Sequence, residues 1–515
     1  MADPILLWNE VALEANRVSH TNGQGEQAGP PLSARALAII HLAMYDAYAG
    51  VDTAAGLPPY ISGVTGPGAG ATVAAAVAAA AYTTLVSLFP SQKSFFDAIF
   101  AGAGDPSNAG HAFGVNVAQA ILADRNHDPG AGGNYMPSPD PGKHRPDPDN
   151  AGQGFHAPIY GAQSKGFGIT ARHELAPPPF GSNNQAYKKA LREVRGKGIA
   201  PELMGTLPNN LDRRTPDETL SGIFWAYDGS AELGTPPRFY NQIVRRIALA
   251  RSPGSATTPN SVAENARLFA FLNVALADAG ILCWDQKYIH NFWRPVLGIR
   301  EHDKSMGPQP TQASNDISPD GDPFWLPLGA PNTNRTGSKN FTPPFPAYPS
   351  GHATFGAAAF HITRLFYHQG GKFSDNSLNK DALANGLSFV SDELNGISTD
   401  NRGTVRPRHL RDFPDGLWQM IEENGRSRVH LGVHWVFDAF SVKANNTPDL
   451  NKKVGGKHVG GVPLGLTVAE DIFAYGAGKG PKKSPVGPRS TPPVAAVAER
   501  TATFSSSYQP ATPAR

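Results

Sequence analysis

Two long stretches rich in proline, glycine and asparagine, 126–185 and 301–349, interrupt a chain of 515 residues. Elsewhere apolar residues recur at three- and four-residue spacing, and period-two alternation is scarce. Extended strands therefore have little to build on, and the chain is predicted to be all-α. Ser33 reads as the cap of a helix running to Gly50, with Leu37, Ile40, Met44, Ala47 and Tyr48 on one face. Segments 71–88, 95–103 and 109–124 continue the helical pattern. A second block holds 238–251, a helix opened by a Ser261/Glu264 capping box and ending near Gly280, and then 352–367 and 411–424. Loops this long are uncommon in a compact domain unless they carry function. The expected organisation is two helical bundles in tandem joined by long irregular loops. Residues 1–185 form the first unit and 186–476 the second. A Pro/Ala/Ser/Thr-rich tail over 477–515 has too few large apolar residues to order itself.

Composition removes several functions. Lys and Arg number 45 against 43 Asp and Glu, with no basic stripe, which argues against nucleic-acid binding. The single cysteine, Cys283, excludes an intramolecular disulfide and a zinc site built on several thiolates. The N-terminus has neither a basic region nor a sustained apolar run, so no secretory signal is visible. Segment 71–88 is mostly alanine, too weakly apolar for a membrane span. The expectation is a soluble protein, secreted or cytoplasmic, with no membrane partner; a monomer is favoured.

Three fragments carry the chemistry. The first is Lys287-Tyr288-Ile289-His290-Asn291-Phe292-Trp293-Arg294-Pro295. Seven residues make nearly two helical turns, so Lys287 and Arg294 are expected on one face, with Pro295 placing Arg294 at a helix end. The second is Pro349-Ser350-Gly351-His352. A Ser-Gly pair entering a helix offers a hydroxyl and free N–H groups to an anion, with His352 beside it. The third runs from Ser427-Arg428 through His430 and His434 to Asp438. His434 and Asp438 are four apart, so the carboxylate can orient the imidazole; His430 is a rival ligand. Arg428 and His434 meet one ligand only if the chain turns between them, and Gly432 offers the place.

If Lys287, Arg294 and Arg428 converged at roughly 5 Å, each pair would cost about 3 kcal/mol at an effective dielectric near 20. An anion between them makes such a cluster reasonable. A tetrahedral oxyanion suits two guanidinium forks, an ammonium and a Ser-Gly turn.

The ordered set Lys-x6-Arg-Pro, Pro-Ser-Gly-His and Ser-Arg-x5-His-x3-Asp resembles the signature shared by vanadium-dependent haloperoxidases and type 2 phosphatidic acid phosphatases. Outside the motifs, 6–9, 29–36, 225–230, 234–246, 322–326, 343–355 and 460–465 resemble the fungal vanadium chloroperoxidases, and the likeness covers 5 to about 476. The resemblance implies two four-helix bundles and a vanadate cofactor. By it, His434 is the ligand bonded to vanadium, and Lys287, Arg294, Ser350, Gly351 (through its N–H) and Arg428 bind the vanadate oxygens. His352 is the acid–base histidine, Asp228 holds the site arginines, and Trp284 and Phe345 line the halide approach. The implied reaction is oxidation of chloride, bromide or iodide by hydrogen peroxide to hypohalous acid, which then meets small organic nucleophiles. An acid phosphatase using the same oxyanion site is the alternative, since vanadate and phosphate share charge and shape.

Overall fold

A computed structural model of the protein describes residues 3–251, 257–308, 317, 319–368 and 387–490, and the backbone of 496–497. The fold is all-α. Its helices are α1 (Pro4–Ser19), α2 (Pro30–Val51), α3 (Val73–Leu88), α4 (Lys93–Ala103), α5 (Ala109–Asp124), α6 (Tyr160–Gln163), α7 (Gln185–Lys197), α8 (Pro216–Phe224), α9 (Pro236–Ala250), α10 (Val262–His290), α11 (Pro295–Glu301), α12 (Gly351–Tyr367), α13 (Gly416–His430), α14 (Val436–Ala439) and α15 (Gly461–Tyr475). The strands among the described residues are two or three residues long. They pair antiparallel as Leu387–Phe389 with Arg411–Phe413, Ser441–Val442 with Pro448–Asp449, Lys453–Val454 with Lys457–His458, and Asn134–Tyr135 with Ala496–Val497.

Helix α10 organises the molecule. It packs on α2, which packs on α3 and α5, and on its other side it packs on α12 and α15, with α13 against α12. It is long and apolar enough to cross a membrane, but it is enclosed by its neighbours as a core helix. The two helical groups thus share a wall, and packing crosses the division expected at 185/186. A buried polar ladder ties the same groups together. Asn9 Nδ2 donates to Asn241 Oδ1 (3.3 Å), and Asn241 and Asn273 exchange amide bonds of 2.8 and 3.1 Å. Each member is hydrogen-bonded, which lets polar groups sit in an apolar core and fixes helix register.

Several helix ends differ from expectation for identifiable reasons. The Ser261/Glu264 capping box opens α10 as expected. Gly280 does not close it, because that glycine serves packing: a Cβ there would lie 3.1 Å from the Phe355 ring on α12. The helix continues to His290, where Asn291 takes the left-handed conformation. Helix α2 is capped by Gly29 with Pro30 at its first turn, three residues ahead of Ser33. The segment expected as a helix from 411 to 424 is divided. Arg411–Phe413 is a strand, Pro414 breaks the chain, and α13 starts at Gly416 and extends to His430.

The tail expected to be disordered from 477 is pinned as far as 490. Ser484 N–H donates to Phe167 O (2.9 Å), Gly166 N–H to Val486 O (2.8 Å), and Arg489 Nε to both oxygens of Asp285 (2.8 Å). Backbone pairing and one buried carboxylate hold it where apolar burial does not. The later tail, apart from 496–497, lies outside the described residues.

Candidate active site

The three fragments meet at one cavity. It is lined by Asp228, Trp284, Phe345, Gly351, His352, Arg428 and His434, with Pro30, Pro236, Pro343 and Phe355 completing the wall. Lys287 lies in the last turn of α10, fully buried. Its Nζ donates to the carbonyls of Pro346 (2.8 Å), Ala347 (3.2 Å) and Pro349 (2.6 Å). Arg294 is not on that helix. The chain turns at Asn291, and Arg294 becomes the N-cap of α11. The shared helical face expected for the two cations is therefore replaced by a break that brings Arg294 to His434. Its Nη1 donates to Val433 O (2.7 Å) and His434 Nε2 (2.8 Å), and its Nε to Phe345 O (2.9 Å).

Ser350 caps α12 as expected, accepting a bond from Ala353 N–H (3.4 Å). Its own N–H donates to the Asp438 carbonyl (2.9 Å), which joins the second fragment to the third. Gly351 opens the helix on the cavity wall. A Cβ there would stand 3.4 Å from the Trp284 ring.

In the third fragment, α13 ends at His430, and Gly432 supplies the change of direction with φ of 74°. A side chain is excluded there as well, because a Cβ would lie 2.4 Å from Gly198 O. His434 precedes α14, and its Nδ1–H donates to Asp438 Oδ2 (2.8 Å). That bond puts the imidazole proton on Nδ1 and makes Nε2 the acceptor, which takes the bond from Arg294 Nη1. The rival His430 points elsewhere: its Nδ1 meets Ser221 Oγ (3.0 Å) beside Glu218.

Burial dominates the electrostatics. It pulls Lys287 down to about 7 and Arg294 to about 9, with the neighbouring cations adding to the effect. Burial, then the site's arginines and lysine, push His434 and His352 well below the usual imidazole range. Burial raises Asp438 to about 7 and raises Asp228, although Arg428 opposes it there. His352 Nε2–H donates to Ala226 O (2.6 Å), leaving Nδ1 as its basic nitrogen. Arg428 Nη2 donates to both oxygens of Asp228 (2.7 and 3.0 Å).

The donor set fits an oxyanion. Arg294 Nη2 and Arg428 Nε and Nη1 are buried without a hydrogen-bond partner. Leaving such donors unmade costs about 1–3 kcal/mol each, more for charged groups. The free donors and the Ser350-Gly351 turn suit a tetrahedral anion, and His434 Nε2 would bond a metal at its centre by giving up its hydrogen bond from Arg294 Nη1.

Comparison with known proteins agrees. Over 95% of its length the chain is 36% identical to the vanadium chloroperoxidase of Curvularia inaequalis, covering 92% of that protein. The chain belongs to the vanadium-dependent haloperoxidase family. Residues 2–177 match the family's vanadium chloroperoxidase N-terminal domain, and residues 267–455 match its second helical-bundle domain. A solved bacterial vanadium-dependent iodoperoxidase is 19% identical, covers 92% of this chain and 96% of its own, and superposes with a TM-score of 0.58. An apo-type bacterial vanadium-dependent chloroperoxidase is 13% identical, with coverage of 88% and 95% and a TM-score of 0.57.

Every site residue expected from this haloperoxidase's sequence lies in or beside the cavity. Trp284 and Phe345 pack with ring centroids 4.9 Å apart, and Lys287 Nζ lies 5.0 Å from the Phe345 ring. Three features had no sequence signal. They are the backbone carbonyls of 346–349 that hold Lys287, the Ala226 carbonyl on His352, and the His156 ring 6.3 Å from both Trp284 and Phe345.

Proposed function

We propose that this haloperoxidase binds one vanadate in the cavity and uses hydrogen peroxide to oxidise chloride as well as bromide and iodide. The observation that carries the reading is the set of buried, unpartnered guanidinium nitrogens on Arg294 and Arg428, with Arg294 also bonded to His434 Nε2. His434 would bond the metal. Lys287, Arg294, Arg428, Ser350 and the Gly351 N–H would hold the oxygens, and Asp228 keeps Arg428 aimed. Bound vanadate supplies a Lewis-acidic centre that activates peroxide without changing oxidation state. His352 takes the proton that peroxide gives up at Nδ1, the nitrogen left free by its bond to Ala226. Lys287 withdraws charge from the oxygen that the halide attacks.

Chloride is the hardest of the three halides to oxidise and calls for a strongly polarised, dry site. Trp284 and Phe345 form an apolar wall against Lys287, which keeps its hydrogen bonds undiluted by water.

The test is halide-dependent peroxidase activity with added vanadate at mildly acidic pH, beside phosphatase activity of the vanadate-free chain. Chlorination of a reporter is expected, reduced in Phe345→His. His352→Ala is expected to keep vanadate and lose most turnover. Bromide oxidation with no measurable chlorination would remove chloride from the proposal. Phosphatase activity with no halide oxidation would overturn it.

A further inference from the structure

The segment Ala226-Tyr227-Asp228 touches two site residues at once. The Ala226 carbonyl accepts from His352, and the Asp228 carboxylate accepts from Arg428. The residue between them, Tyr227, is a buried aromatic with φ of 45°, a left-handed conformation that a side chain disfavours. Such a backbone persists only when its surroundings hold it.

The holding comes from the loop after α12. Ser391 Oγ donates to Phe224 O at the end of α8 (2.7 Å). Asp392 N–H donates to the Tyr227 hydroxyl (2.9 Å), and the Tyr227 ring stacks on Phe239 with centroids 4.3 Å apart. Glu393, fully buried, accepts the Tyr227 N–H at Oε1 (3.2 Å). At Oε2 it accepts from Thr333 Oγ1 (2.5 Å) and from Arg406 Nη1 (2.7 Å). The carboxylate is thus anchored on one side by a half-buried arginine and binds the strained backbone on the other.

We propose that Glu393 is a positioning residue of the haloperoxidase site. By holding Tyr227 it sets the Ala226 carbonyl that fixes the His352 tautomer and the Asp228 carboxylate that aims Arg428. The inference rests on the vanadate reading of that cavity and adds a residue to it that touches neither vanadate nor peroxide. Loss of a group that orients the contacting residues typically costs 10–100-fold in metal affinity or activity.

The test compares Glu393→Ala, Glu393→Asp and Arg406→Ala with the parent. Vanadate affinity is measured by calorimetry, turnover at saturating vanadate, KM for peroxide, and the thermal midpoint. Aspartate keeps the charge for Arg406 and Thr333 but is too short to reach Tyr227 as well, so it stands in if the alanine variant does not fold. Both Glu393 variants should weaken vanadate binding and lower kcat about tenfold, with KM for peroxide within about twofold. Arg406→Ala should lose thermal stability, with affinity and kcat falling less than in the Glu393 variants, because Glu393 keeps its bonds to Thr333 and Tyr227. Parent-like affinity and kcat in the Glu393 variants, or equal losses in Arg406→Ala, would overturn the positioning role. A parent that binds no vanadate would instead overturn the reading of the cavity.

Discussion

Two buried charged groups stand nine residues apart on α10, each bonded three times to backbone, and their neighbours differ. Asp278 accepts three backbone N–H bonds, from Phe167 (2.6 Å), Gly168 (2.6 Å) and Ile169 (2.9 Å). Burial raises its pKa to about 6, and those three donors work against that rise. It ties the loop at 167–169 to the core and has nothing left to offer a ligand. Lys287 likewise donates to three carbonyls, but it lies among Arg294, Arg428 and Asp438, and those two arginines keep three guanidinium nitrogens without a partner. Burial is equally complete at both places, so burial does not separate structure from function. The difference is whether the polar groups satisfy one another or are left for something else to satisfy.

Removing Asp278 should therefore harm stability and spare the site. Asp278→Ala strands three buried N–H groups and should cost about 3 kcal/mol or more. The denaturation midpoint reads the loss, while vanadate affinity of the folded fraction stays at the parent's value. A large loss of affinity at unchanged stability would break the contrast.

The second prediction sharpens it through pH. In the vanadate-free fold Lys287 gives up its proton near 7, whereas the unfolded chain keeps it to 10.5. Across that window the unfolded state holds more protons, so stability rises with pH. The slope from this one group is about 1.4 kcal/mol per pH unit at most. Lys287→Met should remove that part of the slope, and so should saturating vanadate, whose charge favours the ammonium. An identical slope in the parent and the variant would contradict the assignment.

What the sequence made legible was local. The capping box at Ser261, the Ser350 cap and the turn at Gly432 each declare themselves within a few residues, and the structure has all three. The residues that converge were named by the resemblance of the three motifs and their flanks to the haloperoxidases, since spacing alone left their convergence conditional. Tertiary causes were not legible. Gly280 reads as a helix stop unless one knows that Phe355 packs on it. Arg294 reads as the end of a helix when it is the start of another, since Asn291 gives no sign that it will turn left-handed. Glu393 is 165 residues from Asp228, and only the fold brings its carboxylate to Tyr227. The segment 477–490 has a disordered composition and is nonetheless held, by an arginine that finds Asp285 on the core helix.

The central claim is that the cation cluster on α10 and its neighbours is completed by vanadate. Calorimetric titration of vanadate into the vanadate-free chain, with thermal midpoints recorded for the parent and for His434→Ala, tests it most directly. The parent should bind one vanadate per chain and melt at a higher temperature when loaded. His434→Ala should keep its fold and lose affinity about a hundredfold. No binding by the parent, or equal binding by the two, would contradict the claim.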